Sequence, residues 1–486
     1  MLTFNSTAFL FLFLPLAVAL SAFGEWCGRR YLRLLIFLAM SFGFYVFSGL
    51  RNVGVFLLSV VVGYLLVMIM AKATGAGRRW RLCLVIGFQL ALLGFFKYAN
   101  FLLANWAMVT GVDFTPLALV DLPLGISFYV FNQIGHAVAV YRGGAVGLSF
   151  LEYATTVSFF PYLTSGPLVS LGNVAEQMQG GGGRRWAEDA AVGLSLMVVG
   201  LFKKVVLGDA VAGYADHIFA LAATPTPVDF VHSWLGALSY TFQIYFDFSG
   251  YTDMAIGMAR LFGIVLPQNF NSPYKSASVA EFWRRWHITL SRFLRDHLYI
   301  PLGGNRQGRW RQSVNLMITM VLCGLWHGAG WPFVLWGGLH GLYLCGQRLL
   351  GRLLPPLGRP VKVAITFLLI VVSWVVFRAE SLAVTGKMLT GMVGAAGFWT
   401  LSGVIKVTHC LEWLAGCALI CFVMPNSQQL FAAYHPCLLY RGYNDNLARA
   451  RFAWSPGLVS FGVIFGLWLI ALYHLDRGGS FIYAQF

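Results

Sequence analysis

The chain has 486 residues, 58% of them hydrophobic and 11% charged, and its mean hydropathy is +0.71. Soluble domains carry about 25% charged residues, so this composition excludes a soluble globular protein and indicates a polytopic membrane protein. The net charge of +16 does not signal nucleic acid, because the cations lie in short loops between apolar runs, where topology and anionic lipid headgroups account for them.

Crossing the hydrocarbon core takes roughly 20 residues. Eleven stretches predict such helices: 7–23, 33–50, 53–71, 82–104, 190–208, 233–262, 313–329, 332–348, 362–377, 411–425 and 457–475. The first is not a cleaved signal peptide, since no positive charge precedes Phe9 and no small-residue cleavage site follows. Arg29, Arg30 and Arg33 follow the first span and Lys72, Arg78, Arg79 and Arg81 the third, with little more than Arg51 between the second and third. The positive-inside rule then places the N-terminus outside. Stretches 117–141 and 151–170 are apolar but interrupted by Pro and Gly, which predicts short, broken or re-entrant helices held inside protein. Gly180–Gly183 with Arg184 and Arg185 reads as a flexible cytoplasmic loop. Residues 1–486 form one all-α integral-membrane domain with no soluble module attached, so any chemistry takes place among the helices.

The stretch from Asp247 to Gly304 carries five arginines in otherwise membrane-like sequence, around the pair Trp286-His287. Treated as one helix at about 100° per residue, Glu281–Leu298 puts Arg284, Arg295, Arg292 and Arg285 within roughly 100° of one another. Phe282, Trp283, Trp286, Leu290 and Phe293 fall on the other side, and His287 at its edge. This amphipathic pattern fits a lipid-surface anchor, or a guanidinium strip facing a phosphorylated ligand. His327 follows an apolar run, in Leu325-Trp326-His327-Gly328-Ala329-Gly330-Trp331. A neutral imidazole there can act as a general base near pH 7, or it can be a core histidine bonded between helices. His287, His297, His327 and His340 lack the HExxH or Cys/His spacing of a metal site, no carboxylate cluster accompanies them, and no metal is expected. Eight cysteines without a CxxC pair, Cys417 and Cys421 included, read as packing residues. Asp247 and Asp253 are either intramembrane relays of a transporter or structural carboxylates. No GxSxG elbow or Walker loop is present.

Three strings, FDFSGYTDMAIGMARLFGIVLPQNFNSPY, EFWRRWHITLSRFLRDHLYIPLGGNR and GLWHGAGWPFVLWGGLHG, resemble the membrane-bound O-acyltransferase (MBOAT) family in its alginate O-acetyltransferase, AlgI-like, branch. LPLGISFYVFNQIGHAVAVYRG, FFPYLTSGPLV and the terminal FIYAQF are weaker echoes, and the likeness is strongest over 120–350. The resemblance implies helices around a tunnel through the membrane, His327 as the catalytic histidine and His287 as the second active-site histidine. It implies transfer of an acyl group from a thioester to a hydroxyl, with acetyl-CoA as donor and no bound cofactor. Trp286 and Trp326 would shape the tunnel, and Arg284, Arg285, Arg292, Arg295 and Asp247 would lie along it or meet the donor. A bacterial inner-membrane location, a periplasmic SGNH-type acetyltransferase partner, and the synthesis and export machinery of alginate, cellulose or another polysaccharide are further implications. His297, the run Asn132–His136 and Ala484 depart from the family pattern, and none touches the two histidines. Two other readings stand beside this one: a D-alanyl transferase to teichoic acid, and a transporter leaning on Asp247 and Asp253.

Overall fold

The computed structural model of the chain describes residues 3–113, 115–117, 122–144, 147–179, 185–350, 357–401, 403–439, 453–475, 479 and 481–482. The glycine run Gly180–Gly183 and Ala484 lie outside the described residues. The first helices are α1 (Leu14–Trp26, entered through a π turn at Phe9–Phe13), α2 (Arg30–Val46), α3 (Leu50–Ala71) and α4 (Gly75–Thr110). Then come α5 (Ile126–Tyr141), α6 (Phe150–Ser158), α7 (Phe160–Leu163), α8 (Leu171–Gln179), α9 (Trp186–Phe202), α10 (Asp209–Ala223) and α11 (Phe230–Leu261). Two short helices, α12 (Val279–Trp283) and α13 (Ile288–Leu294), precede α14 (Gly308–His327), α15 (Trp331–Leu350), α16 (Arg359–Arg378), α17 (Leu382–Met392) and α18 (Val407–Phe422). The turn α19 (Ser427–Leu430) and the helix α20 (Leu458–Leu475) complete the order. Among the described residues there is no strand, only an isolated bridge between Pro267 and Leu438.

A helix underlies each of the eleven predicted apolar stretches. Among the described residues, six helical segments are long and apolar enough to cross a membrane: Phe9–Trp26, Leu50–Ala71, Gly75–Thr110, Trp186–Ala223, Arg359–Arg378 and Leu458–Leu475. The interrupted stretches behave as expected, giving the short α5 and the broken pair α6 and α7. A capping box starts α6, with Glu152 and Ser149 satisfying each other's backbone N–H.

Helix α11 is the axis of the protein. From Ser239 to Leu261 every residue is buried, the carboxylates Asp247 and Asp253 included. It packs against α9 through two pairs of glycines. A Cβ at Gly200 would stand 2.5 Å from the carbonyl of Gly250, and one at Gly250 2.6 Å from the carbonyl of Gly200. The pair Gly193 and Gly257 repeats this one heptad away. Small residues let helix backbones meet inside a membrane, where packing rather than the hydrophobic effect holds helices together.

Glu281–Leu298 is not one helix. The chain leaves α12 at Trp283, and His287 turns into the left-handed region with φ +42° before α13 begins. Arg285 and Trp286 still bond back to the Phe282 carbonyl, but beyond them the backbone bonds to a neighbouring segment: Asn271 N–H donates to the Arg285 carbonyl and Ile288 N–H to the Asn269 carbonyl. The helical periodicity therefore breaks between the two arginine pairs. Arg284 is exposed, Arg285 bonds Glu281 and the Asn271 carbonyl, and Arg292 and Arg295 share Asp296 at 3.5 and 2.7 Å. Trp286 points inward, within 5.0 Å of the Phe270 ring and 4.9 Å of Trp374.

Candidate active site

His287 and His327 come together from different elements around one indole. His327 is the last residue of α14, and its ring lies 4.9 Å from Trp326, 5.2 Å from Trp336 and 5.3 Å from Phe377. The ring of His287 lies 6.0 Å from Trp326, 4.8 Å from Phe248 and 6.5 Å from Phe128. Both histidines are buried.

The tautomer of His287 follows from its neighbours. Asn269 Oδ1 accepts from the Thr289 N–H at 3.3 Å and from Thr289 Oγ1 at 3.0 Å, which identifies that atom as oxygen. His287 Nδ1, 3.1 Å from the same oxygen, must then donate. A neutral imidazole protonated at Nδ1 carries its lone pair on Nε2. The left-handed backbone that aims this ring is uncommon for a non-glycine residue and is typical of functional positions.

The last turn of α14 is held from outside by α4. Lys97 Nζ donates to the Trp326 carbonyl and, at 3.2 Å, to Ser127 Oγ. Tyr98 Oη donates to the Leu325 carbonyl at 2.5 Å. Beyond the glycine loop, Trp331 Nε1 donates to Asn105 Oδ1 at 2.9 Å. The terminal carbonyls of a helix need such partners, and here one helix supplies them on both sides of the His327 loop. Lys97 was absent from the sequence-based candidates, although a lone lysine in the apolar run 82–104 is the signal that marks an intramembrane functional residue. Asn269 had no comparable signal.

The remaining candidates divide. His340 is a satisfied core histidine: it accepts from Trp283 Nε1 at 3.2 Å and faces Ser373 Oγ at 3.1 Å. Asp247 pairs with Lys204 at 2.6 Å and accepts from the Ile482 N–H at 3.0 Å. Asp253 meets Lys203 at 2.6 Å, with Ser427 and Gln428 also on it. Both lysines lie on the π turn Lys203–Gly208 between α9 and α10. His297 packs against Phe293 at 4.5 Å in the lining of a cleft, where burial and then Arg142 lower its pKa and Asp296 opposes them. No cluster of residues able to hold a metal ion occurs among the described residues.

Two clefts approach the histidine pair. One, of about 410 Å³, is lined by Phe131, His136, Arg142, Thr289, Arg292 and His297, among others. It lies at the end of the molecule that carries Arg78, whose guanidinium bonds the Val140 carbonyl. The other, of about 750 Å³, includes Lys204, Asp209, Asp216, Gly330, Phe377 and Arg378. Phe131 of the first cleft stacks on Trp326 at 5.4 Å, and Phe377 of the second meets His327. An aromatic partition, Phe131, Trp326, His327 and Phe377, thus stands between them.

The sequence model of MBOAT, the membrane-bound O-acyltransferase family, matches residues 82–386. The chain is 42% identical over 409 residues to the probable alginate O-acetylase AlgI of Pseudomonas putida, covering 82% of each. It is 39% identical over 432 residues to the peptidoglycan O-acetyltransferase of Helicobacter pylori, covering 82% of this chain and 80% of the other. A teichoic acid D-alanyltransferase of Streptococcus thermophilus is 30% identical over 233 residues, 46% of this chain and 55% of the other.

Proposed function

The chain belongs to the membrane-bound O-acyltransferase family, and on that premise we propose that it passes acetyl groups from a cytoplasmic thioester, acetyl-CoA, to a hydroxyl acceptor presented on the other side of the bacterial inner membrane. The observation that carries this reading is the meeting of His287 and His327 at one buried indole, with a cleft on either side. The donor enters the cleft where Arg142 and Arg292 offer guanidinium groups to its phosphates, with Arg295 beside them on Asp296. The acceptor hydroxyl arrives through the other cleft. His327 takes the hydroxyl proton as its oxygen attacks the thioester carbonyl carbon. The tetrahedral intermediate then expels the thiolate, which receives that proton from the imidazolium.

For His287, orienting the donor fits better than stabilising an oxyanion. With Nδ1–H committed to Asn269, its Nε2 accepts a hydrogen bond rather than donating one. Trp286 builds the inner wall behind it. Asp247 serves the fold through Lys204, which favours the enzyme reading over a transporter. About eleven crossings, with the N-terminus outside, place the end that carries Arg78 in the cytoplasm.

The identity to O-acetyl-transferring relatives extends over 82% of the chain, against 46% for the D-alanyltransferase, which favours acetyl over D-alanyl. The acceptor pathway ends on a secreted polysaccharide such as alginate or cellulose, through a periplasmic SGNH-type acetyltransferase and the polymer's synthesis and export machinery. The test is the acetyl content of that polymer in a deletion strain complemented with wild type or His327→Ala, at membrane levels matched by immunoblot. Loss of acetyl with His327→Ala is expected. Acetylation at the wild-type level would make His327 structural.

A further inference from the structure

Trp326 lies between the two imidazoles of the site. Its ring touches both imidazoles, and its backbone carbonyl is pinned by the buried Lys97, whose ammonium also lies 5.8 Å from the centre of the indole. The indole Nε1–H is buried and has no hydrogen-bond partner among the described residues. An indole nitrogen can only donate. Leaving a buried donor unpaired costs free energy, and such a group in a native interior calls for an explanation. Lys97 is a second anomaly, because a hydroxyl such as the neighbouring Tyr98 would cap a helix carbonyl without burying a charge. Together the two describe a donor held rigidly in place with nothing yet to bond.

On the acetyl-transfer reading above, we propose that Trp326 is a catalytic residue whose indole N–H donates to the thioester carbonyl oxygen as it becomes an oxyanion, and that Lys97 is its positioning residue. When the acceptor oxygen bonds the carbonyl carbon, the C=O π pair moves onto oxygen, and Trp326 binds that oxygen without giving up its proton. The pair returns as the C–S bond breaks. His327 handles the proton, Trp326 the charge, and His287 the donor. A donor fixed before the reaction stabilises the intermediate with no reorganisation, which is how oxyanion holes work.

The experiment supplies radiolabelled acetyl-CoA to membrane vesicles from the complemented strain and measures initial rates of acetyl delivery to that strain's polymer, per amount of protein on an immunoblot. Trp326→Phe keeps a ring but removes the N–H, and kcat is expected to fall about 10²- to 10³-fold with KM for acetyl-CoA within about threefold. Benzothienylalanine introduced at position 326 keeps the ring size with sulfur in place of N–H. It should show the same loss, and it decides the matter if the Phe variant does not accumulate. A benzothienyl protein working within about threefold of wild type overturns the assignment. So does the full loss appearing in Trp336→Phe with Trp326→Phe still active. Lys97→Met should lose most of kcat, and Lys97→Gln, which can still donate to the Trp326 carbonyl, should recover at least about tenfold. Equal loss in both overturns the positioning role. If wild-type vesicles transfer nothing from acetyl-CoA, the proposed function fails together with this assignment. Wild-type transfer that is abolished by His327→Ala but indifferent to Trp326 sinks this assignment alone.

Discussion

A single carbonyl oxygen, Asn269 Oδ1, fixes the state of His287 and ties it to Thr289, whose hydroxyl also accepts from the Leu168 N–H at 3.1 Å. Asn269→Ala would leave buried donors on His287 and Thr289 unpaired, at about 1–3 kcal/mol each. A loss of that size in the transition state is tenfold or more in rate. The expected result is kcat reduced at least about tenfold in Asn269→Ala, with Asn269→Asp, which still accepts, losing less; the vesicle assay reads both. Equal rates in all three proteins would show that the Nδ1 bond does not matter. His287 and His327 were legible in the sequence because an ionisable group in an apolar run is costly and stands out. Their mutual approach was not, because it depends on a left-handed turn at His287 and on a partner 18 residues away in sequence. Lys97 was readable by the same rule as the histidines, and its role became evident only with the end of α14 placed against it.

The seam between α9 and α11 leaves no room for a side chain, since a methyl group at Gly250 would meet the Gly200 carbonyl well inside any real contact distance. Alanine raises helix propensity by about 1 kcal/mol over glycine. A backbone clash in a packed interior costs typically 1–3 kcal/mol, and neither backbone here can rotate away, so the clash wins. Gly250→Ala should therefore lower the midpoint of thermal aggregation of the detergent-solubilised protein, and Gly250→Val should lower it further. An unchanged midpoint in both would mean that the two helices separate without cost. The long apolar helices were readable from hydropathy alone, because nothing else satisfies a backbone in lipid. The misjudged element was Glu281–Leu298, whose side-chain pattern fits one helix while the backbone at Arg285 and Ile288 bonds to Asn271 and Asn269. Periodicity reports which faces are apolar and is blind to where the N–H groups bond.

Arg309 at the start of α14 and Glu380 beside the larger cleft are both exposed, and the orientation proposed above puts them on opposite sides of the membrane. Cys83 is an exposed native cysteine, so labelling is best done in a Cys83→Ser background. A cysteine in place of Glu380 should react with a membrane-impermeant maleimide in intact spheroplasts, and one in place of Arg309 only after the membrane is opened. The opposite pattern would invert the orientation and exchange the roles of the two clefts. The aromatic partition has a further consequence for the cell. In a bacterial inner membrane, the location proposed above, energy is stored as a proton gradient, and a water-filled passage joining the two clefts would drain it. Rings packed 4.9 to 5.4 Å apart between them would then act as an electrical seal, letting a two-carbon unit be handed over at the wall while the membrane keeps its charge.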